Sequence, residues 1–258
     1  MILLSFDIEE FDMPFEYGRN ISFADQIAIS RQGTMAILDI LEKHAVKATF
    51  YCTVIFAREI PDLLERIAAA GHELASHGFY HSDFKPEHLR ESKLELERLS
   101  GQPVAGYRMA RMMPVDEKEL SKAGYTYNSS INPTFLPGRY NNLNMPRTFF
   151  IKEGVLQLPA SVTPLFRFPL FWLSFHNLPL WLYQKMALAT VKHDGYLNIY
   201  FHPWEFTDLD DAPRFGFPAY VRRNTGGKMA ARMDQFIRHM LGKGLRFTTT
   251  RDFIHSIQ

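Results

Sequence analysis

Residues 47–76 read KATFYCTVIFAREIPDLLERIAAAGHELAS, and this stretch holds a strand, a helix and a second strand in sequence. Lys47–Ile55 is rich in β-branched and aromatic residues, which suit a pleated, buried surface. Ile60–Ala70 has a helical pattern, with Pro61 tolerated in its first turn and Gly71 as the stop. Glu73–Ser76 is then another short strand. The same alternation extends in both directions. Upstream, Ile2–Phe6 is an apolar run ending in acidic residues, as a buried parallel strand reads. A polar stretch from Asp12 to Ser30 follows, and then a helix over Gly33–His44. Downstream, helices are expected at Glu87–Leu99, Asp116–Ala123, Lys228–Gly242 and from Thr250, and strands at Val104–Met109, Tyr125–Ser130, Val155–Pro159, Tyr196–Phe201 and Leu245–Thr248. Strand–helix alternation of this kind predicts a parallel α/β architecture. Seven or eight such strands suffice to close a barrel, and a chain of 258 residues has the length for one. With no internal repeat and no Pro/Ser-rich linker, residues 1–258 are expected to form a single domain.

The composition narrows the function classes. A net charge of +1 leaves no basic stripe for nucleic acid. Cys52 is the only cysteine, which excludes an intramolecular disulfide. The opening MILLSFDIEEFD lacks the basic n-region of a secretory leader, and no run of about 18 uncharged apolar residues occurs. The expectation is a cytoplasmic chain without a transmembrane segment, peripheral membrane association remaining open.

In parallel β/α folds the reacting groups gather at the C-terminal ends of strands. Strand one delivers Asp7, Glu9 and Glu10, strand three His77 and His81, strand four Arg108 and Arg111, and the strand at Tyr196–Phe201 delivers His202, Trp204 and Glu205. His77 and His81 stand four apart, so a helical turn between them would turn both rings the same way. Two imidazoles and a carboxylate, with a position open to water, make a catalytic metal shell. Asp7 and Glu9 share a strand face, and two such carboxylates can divide the work, one binding metal and the other taking a proton from water. Arg108 could hold Asp7 ionised, with Arg111 as the competing choice. His202, with an ordinary pKa of about 6.5, suits protonation of a leaving group. Val162–Val191, crowded with Phe and Trp but interrupted by Pro164, Pro169 and Pro179, reads as a barrel helix and its loop. A sugar-stacking platform or a membrane-docking surface are its sharper readings.

At this point the motifs resemble the polysaccharide deacetylase family with its NodB homology domain. Ser5-Phe6-Asp7-Ile8-Glu9 resembles the first motif, Ser76–His81 (SHGFYH) the metal motif, and Gly106-Tyr107-Arg108 the start of the third. Tyr125–Ser130 is similar to a stretch that commonly follows, and His202-Pro203-Trp204-Glu205 to the last motif in a form linked to exopolysaccharide synthesis. The resemblance implies a distorted (β/α)7 barrel and a metal-dependent removal of acetyl groups, N-acetyl above all, from a sugar, polysaccharide or lipid-linked glycan. It implies Asp7 as base, Glu9, His77 and His81 as ligands of a divalent metal (zinc, with cobalt or nickel as alternatives), Arg108 as support for Asp7, and His202 as general acid. Tyr80, Trp204 and Glu205 are then expected to contact substrate. Ile8 stands at the family's usual ligand aspartate, Met109 follows Arg108 where proline is usual, and no aspartate near Leu158-Pro159 supports the general acid. Two further readings follow from these departures: a metal-independent cyclic-amide hydrolase on the same fold, and a carbohydrate-binding relative without catalysis.

Overall fold

The computed structural model describes residues 1–257. Strand β1 (Ile2–Ile8) is buried along its whole length, and its side chains alternate between two environments. Ile2, Leu4, Phe6 and Ile8 face the layer packed under the helices, while Leu3 joins Tyr51, Ala75 and Tyr127 inside the curl of the sheet. The two-residue period carries Ser5 and Asp7 to that inner side as well. Asp7 therefore points into the mouth of the sheet because Phe6 and Ile8 are claimed by the outer core.

Helix α1 (Phe23–Lys43) begins ten residues before the expected Gly33, because Ser22 caps it by accepting a hydrogen bond from Asp25 N–H at 3.1 Å. Its first turns bury polar Gln26 and Ser30 and leave Phe23 exposed, which disguises this start. Strand β2 (Thr49–Cys52) is shorter than Lys47–Ile55, since the Thr53 hydroxyl accepts from Phe56 N–H and starts α2 (Val54–Glu59). A local cap thus overrides the strand preference of Val54 and Ile55. Then come α3 (Pro61–Ala69), β3 (Glu73–Ser76), α4 (Glu87–Ser100), β4 (Gly106–Tyr107), α5 (Glu117–Ala123) and β5 (Tyr127–Asn128). The hairpin of β6 (Phe135–Leu136) with β7 (Tyr140–Asn141) escaped the sequence reading, as did β8 (Phe150–Lys152), which pairs with the expected strand β9 (Val155–Gln157). Within Val162–Val191 lies α6 (Trp172–Asn177), and α7 (Leu180–Asp194) starts there and runs past its end; both are preceded by a turn on which Leu165 and Phe166 are 86% and 88% exposed. The chain ends with β10 (Leu197–Phe201), the short α8 (Ala212–Phe215) and α9 (Ala219–Arg222), α10 (Gly227–Gly242), β11 (Phe247–Thr248) and α11 (Thr250–Ile257). No helix among the described residues is long and apolar enough to cross a membrane.

The main sheet runs β10-β1-β2-β3-β4-β5-β9-β8, parallel except for the edge hairpin strand β8, with β11 pairing with the start of β1. No ladder joins β9 to β10. Instead the gap is stitched by Ser161 and Asn198, whose backbone groups and the Ser161 hydroxyl exchange hydrogen bonds at 2.8 Å, and the Asn198 amide reaches the Pro159 carbonyl at 3.1 Å. The result is a curled, partly open mixed sheet surrounded by helices, which bears out the distorted barrel.

Gly33 controls how α1 meets the far rim. A Cβ built there would lie 1.8 Å from the Pro203 carbonyl oxygen, so α1 and the turn after β10 touch backbone to backbone. Glycine inside a helix ordinarily costs about 1 kcal/mol relative to alanine. Here the sign reverses. Gly33→Ala is expected to destabilise the fold by about 3 kcal/mol, the upper end for overpacking, measurable as a lowered urea midpoint with unchanged slope.

Candidate metal centre and its cleft

The C-terminal strand ends open into a cleft of about 320 Å³ that exposes Asp7, Glu9, His77, His81 and His202 together. Glu9 follows β1, and the histidines lie on the loop after β3. Gly78 has φ +93°, so the expected helical turn does not form. The rings nevertheless stack, with centroids 5.8 Å apart and planes 25° apart. Glu10 shapes that loop, accepting the His81 backbone N–H at 2.8 Å and the Thr53 hydroxyl at 2.6 Å.

Proton positions at the two histidines follow from what surrounds them. His77 Nδ1 lies 2.9 Å from the Arg108 carbonyl, which can only accept, so Nδ1 carries the hydrogen. His81 Nδ1 lies 2.7 Å from Asp12 Oδ1. Both Nε2 atoms are then turned toward Glu9 Oε2, at 2.9 Å from His77 and 3.2 Å from His81. Glu9 Oε2 is buried and makes no aligned hydrogen bond despite these short distances. One ligand atom from each of the three residues lies within 4.8 Å of the others. Three converging acceptors in a buried place fit a divalent cation, and the Asp12–His81 and carbonyl–His77 contacts are the outer support that such ligands need. Burial opposes charge on His81, but Glu9 and the Asp12 hydrogen bond outweigh it and raise its pKa to about 9. Asp12 is held well below the carboxylate range, its burial overcome by His81, Ser82 and Arg111. Asp12→Asn is expected to weaken metal binding about 10–100-fold, the usual cost of losing such a partner, as read by competition with a coloured chelator.

Asp7 sits beside this cluster. Arg108, wholly buried, donates to its Oδ1 at 2.5 Å and to the Ser5 hydroxyl at 3.0 Å. The same guanidinium donates to the Ser129 carbonyl and hydroxyl, each at 3.0 Å, and lies 3.9 Å above the Tyr51 ring. Burial alone would raise the Asp7 carboxyl; Arg108, then His77 and His202, lower it below its ordinary value. Arg111 is placed otherwise, at the rim, bonded to Glu16 at 2.6 Å and Asp12 at 3.2 Å.

His202 faces Asp7 across the mouth, Nε2 to Oδ2 being 4.0 Å. Its Nδ1 and its backbone N–H both reach Glu205 Oε1, at 2.9 and 2.6 Å. Burial disfavours its charged form, but Glu205 first, and then Glu9 and Asp7, raise its pKa above the ordinary value. Trp204 is stacked on its ring at 5.2 Å and lines the cleft, as Trp172 also does. Glu205 departs from its expected contact with substrate: it is wholly buried, because His202 and His176 occupy its two oxygens. It supplies from the same turn the carboxylate missing near Leu158-Pro159. Tyr80 also departs, packing on Phe79 and His88 rather than joining the cleft lining. Sequence reasoning missed Asp12, Glu10's hold on the loop, and His176. Asp12 ends the acidic run DIEEFD and was legible there; His176 carried no signal inside its aromatic segment.

A family model described as "Polysaccharide deacetylase" matches residues 12–110, from Asp12 through the histidine loop to Ala110. The likeness to that family therefore covers less than half of the chain. Asp7, Glu9 and His202 fall outside the matched residues, so their place rests on the geometry above. The chain is 33% identical over 67 residues to peptidoglycan-N-acetylmuramic acid deacetylase PdaA of Bacillus subtilis (strain 168), covering 26% of each protein. It is 42% identical over 50 residues to a chitooligosaccharide deacetylase of Sinorhizobium fredii (strain NBRC 101917 / NGR234), covering 19% of this chain and 23% of that one. The matches thus span about a quarter of these relatives. In fold, 97% of the chain superposes on 87% of the Puue allantoinase, with a TM-score of 0.60 at 16% identity.

Proposed function

We propose that this chain, acting as one catalytic domain, is a metal-dependent hydrolase that removes acetyl groups, N-acetyl in first place, from a sugar within a polysaccharide or lipid-linked glycan. The observation that carries this reading is the convergence of Glu9, His77 and His81 around an unpartnered carboxylate oxygen, with Asp7 and His202 on the same cleft. A divalent ion on those three ligands, zinc with cobalt or nickel as alternatives, would supply Lewis-acid activation of water and of the acetyl carbonyl. Everything else falls to the chain's own groups. Asp7, kept ionised by Arg108, accepts the proton of the attacking water. His202 Nε2 donates its proton to the departing nitrogen as the C–N bond breaks, so that acetate and a free amine leave. Trp172 and Trp204 give the cleft wall aromatic surface on which a sugar ring can lie. The D-x-E first motif and His202–Glu205 fit the deacetylases of exopolysaccharide synthesis.

The test is acetate release from N-acetylated and O-acetylated oligosaccharides, with metal-stripped protein and with zinc, cobalt or nickel restored. Turnover of an N-acetylated glycan only when metal is present supports the reading. Turnover of a cyclic amide by stripped protein would put the metal-independent hydrolase in its place, and tight glycan binding without turnover in any metal would favour the binding relative. The pH profile of kcat should fall on the acid side as Asp7 protonates and on the alkaline side as His202 loses its proton above its ordinary range.

A further inference from the structure

His176, on α6, lies behind the general acid rather than in the cleft. It is wholly buried, and both of its ring nitrogens face acceptors: Nδ1 is 2.6 Å from the Arg223 carbonyl and Nε2 is 2.8 Å from Glu205 Oε2. A carbonyl only accepts, so Nδ1 bears a hydrogen. The other oxygen of Glu205 already accepts from the His202 backbone N–H and ring Nδ1. An ionised carboxylate also only accepts, so Nε2 of His176 bears a hydrogen as well. The loop after α9 also fastens the backbone here, Asn224 donating to the His176 main-chain carbonyl at 2.6 Å.

We propose that His176 carries a proton on both ring nitrogens and acts through Glu205 as a positioning residue, orienting His202 and holding down its proton affinity. A buried carboxylate bonded to a single imidazole would make that imidazole hold its proton too tightly to release it near neutrality. Sharing Glu205 with a second, positively charged ring offsets that pull while keeping the Nδ1 contact that aims Nε2 at Asp7. Burial would push the Glu205 carboxyl up, yet the bonds from His176 and His202 keep it low, in keeping with an ionised group between two donors. The other groups facing this chain are few. Tyr183 presents a buried hydroxyl near Glu205; Arg232 is spent on the Phe175 and Leu178 carbonyls at 2.7 and 2.8 Å; Asp7 and Glu9 face His202 from β1; the rest is the edge of Trp172.

The inference rests on His202 being the proton donor, but its test needs no turnover. Protein carrying ¹⁵N-labelled histidine is titrated by long-range ¹H–¹⁵N NMR, as wild type and as His176→Gln, which keeps an amide donor without the charge. Both ring nitrogens of His176 are expected to read as protonated at pH 7, and the His202 midpoint to rise by about one unit in the variant. The alkaline limb of the kcat profile should follow it upward with little change in KM. A singly protonated His176 at pH 7 would overturn the proposal, as would an unmoved His202 midpoint in a folded variant. Should the variant not fold, the wild-type spectrum alone decides. Activity surviving His202→Ala would instead remove the general-acid reading and leave the His176 spectrum to be judged by itself.

Discussion

Replacing Asp7 with asparagine is expected to lower kcat by about 10²–10⁴-fold, the range a positioned general base contributes. The substitution is nearly isosteric and the amide oxygen can still accept from Arg108 Nη1, but the buried guanidinium loses its counter-charge, so kcat is read at a temperature where a urea melt shows the variant folded. Glu9, His77 and His81 are untouched, so metal content should stay at the wild-type level and KM should move little. That combination separates a base from a ligand, because a ligand variant loses metal and turnover together. Retention of a tenth or more of wild-type kcat would remove Asp7 from the base role.

Arg108→Met attacks the same pair from the other side, and its first effect is on stability. Asp7 and Arg108 are both buried, and removing one partner of such a pair costs about 3–5 kcal/mol because the other charge is left uncompensated. In the wild type the Asp7 pKa is depressed on folding, so its stabilising contribution is present above the unfolded value and is lost as pH falls through the folded one. In the variant, burial acts unopposed by Arg108 and Asp7 can escape the cost by taking up a proton. The stability deficit, read from urea melts, should therefore be largest near pH 7 and shrink toward about pH 4, near the unfolded carboxylate range. A deficit independent of pH would mean that lost packing against Tyr51 and the Ser129 contacts, rather than the ion pair, dominates.

Much of this architecture is legible in the chain because strand, helix and strand each announce themselves by composition. Residues 47–76 show both the success and its limit. Helix α3 and strand β3 fall where the pattern puts them, whereas β2 stops at Cys52 because one threonine hydroxyl caps the next helix. Caps act at single atoms and do not disturb hydrophobic periodicity, which is also why the start of α1 at Phe23 was hidden. Strands β6, β7 and β8 are two or three residues long, too short for any period to show, and only β9 of these hairpins was legible.

Site residues sort in the same way. Asp7, Glu9, His77, His81, Arg108 and His202 could be named because strand ends and motif spacing single them out, and the structure brings all but Arg108 to one cleft, Arg108 lying buried against Asp7. The Glu205–His176 contact could not, since it joins a turn after β10 to a helix 29 positions earlier. Nor could the mechanism by which the histidine rings meet, which depends on a positive φ at Gly78 instead of a helical turn. Tyr80 was drawn in by its place between the two histidines. The residue is 39% exposed, and its ring packs on Phe79 and His88.

The central claim is that Glu9, His77 and His81 hold a divalent ion on which acetyl hydrolysis depends. Elemental analysis of the purified protein beside its His77→Ala variant, with acetate release followed in parallel, tests it most directly. The account predicts about one equivalent of divalent metal in the wild type, loss of both metal and acetate release in the variant, and loss and recovery of activity on chelation and re-addition. A wild-type protein that releases acetate at full rate without metal, or a His77→Ala variant that does so, would contradict it.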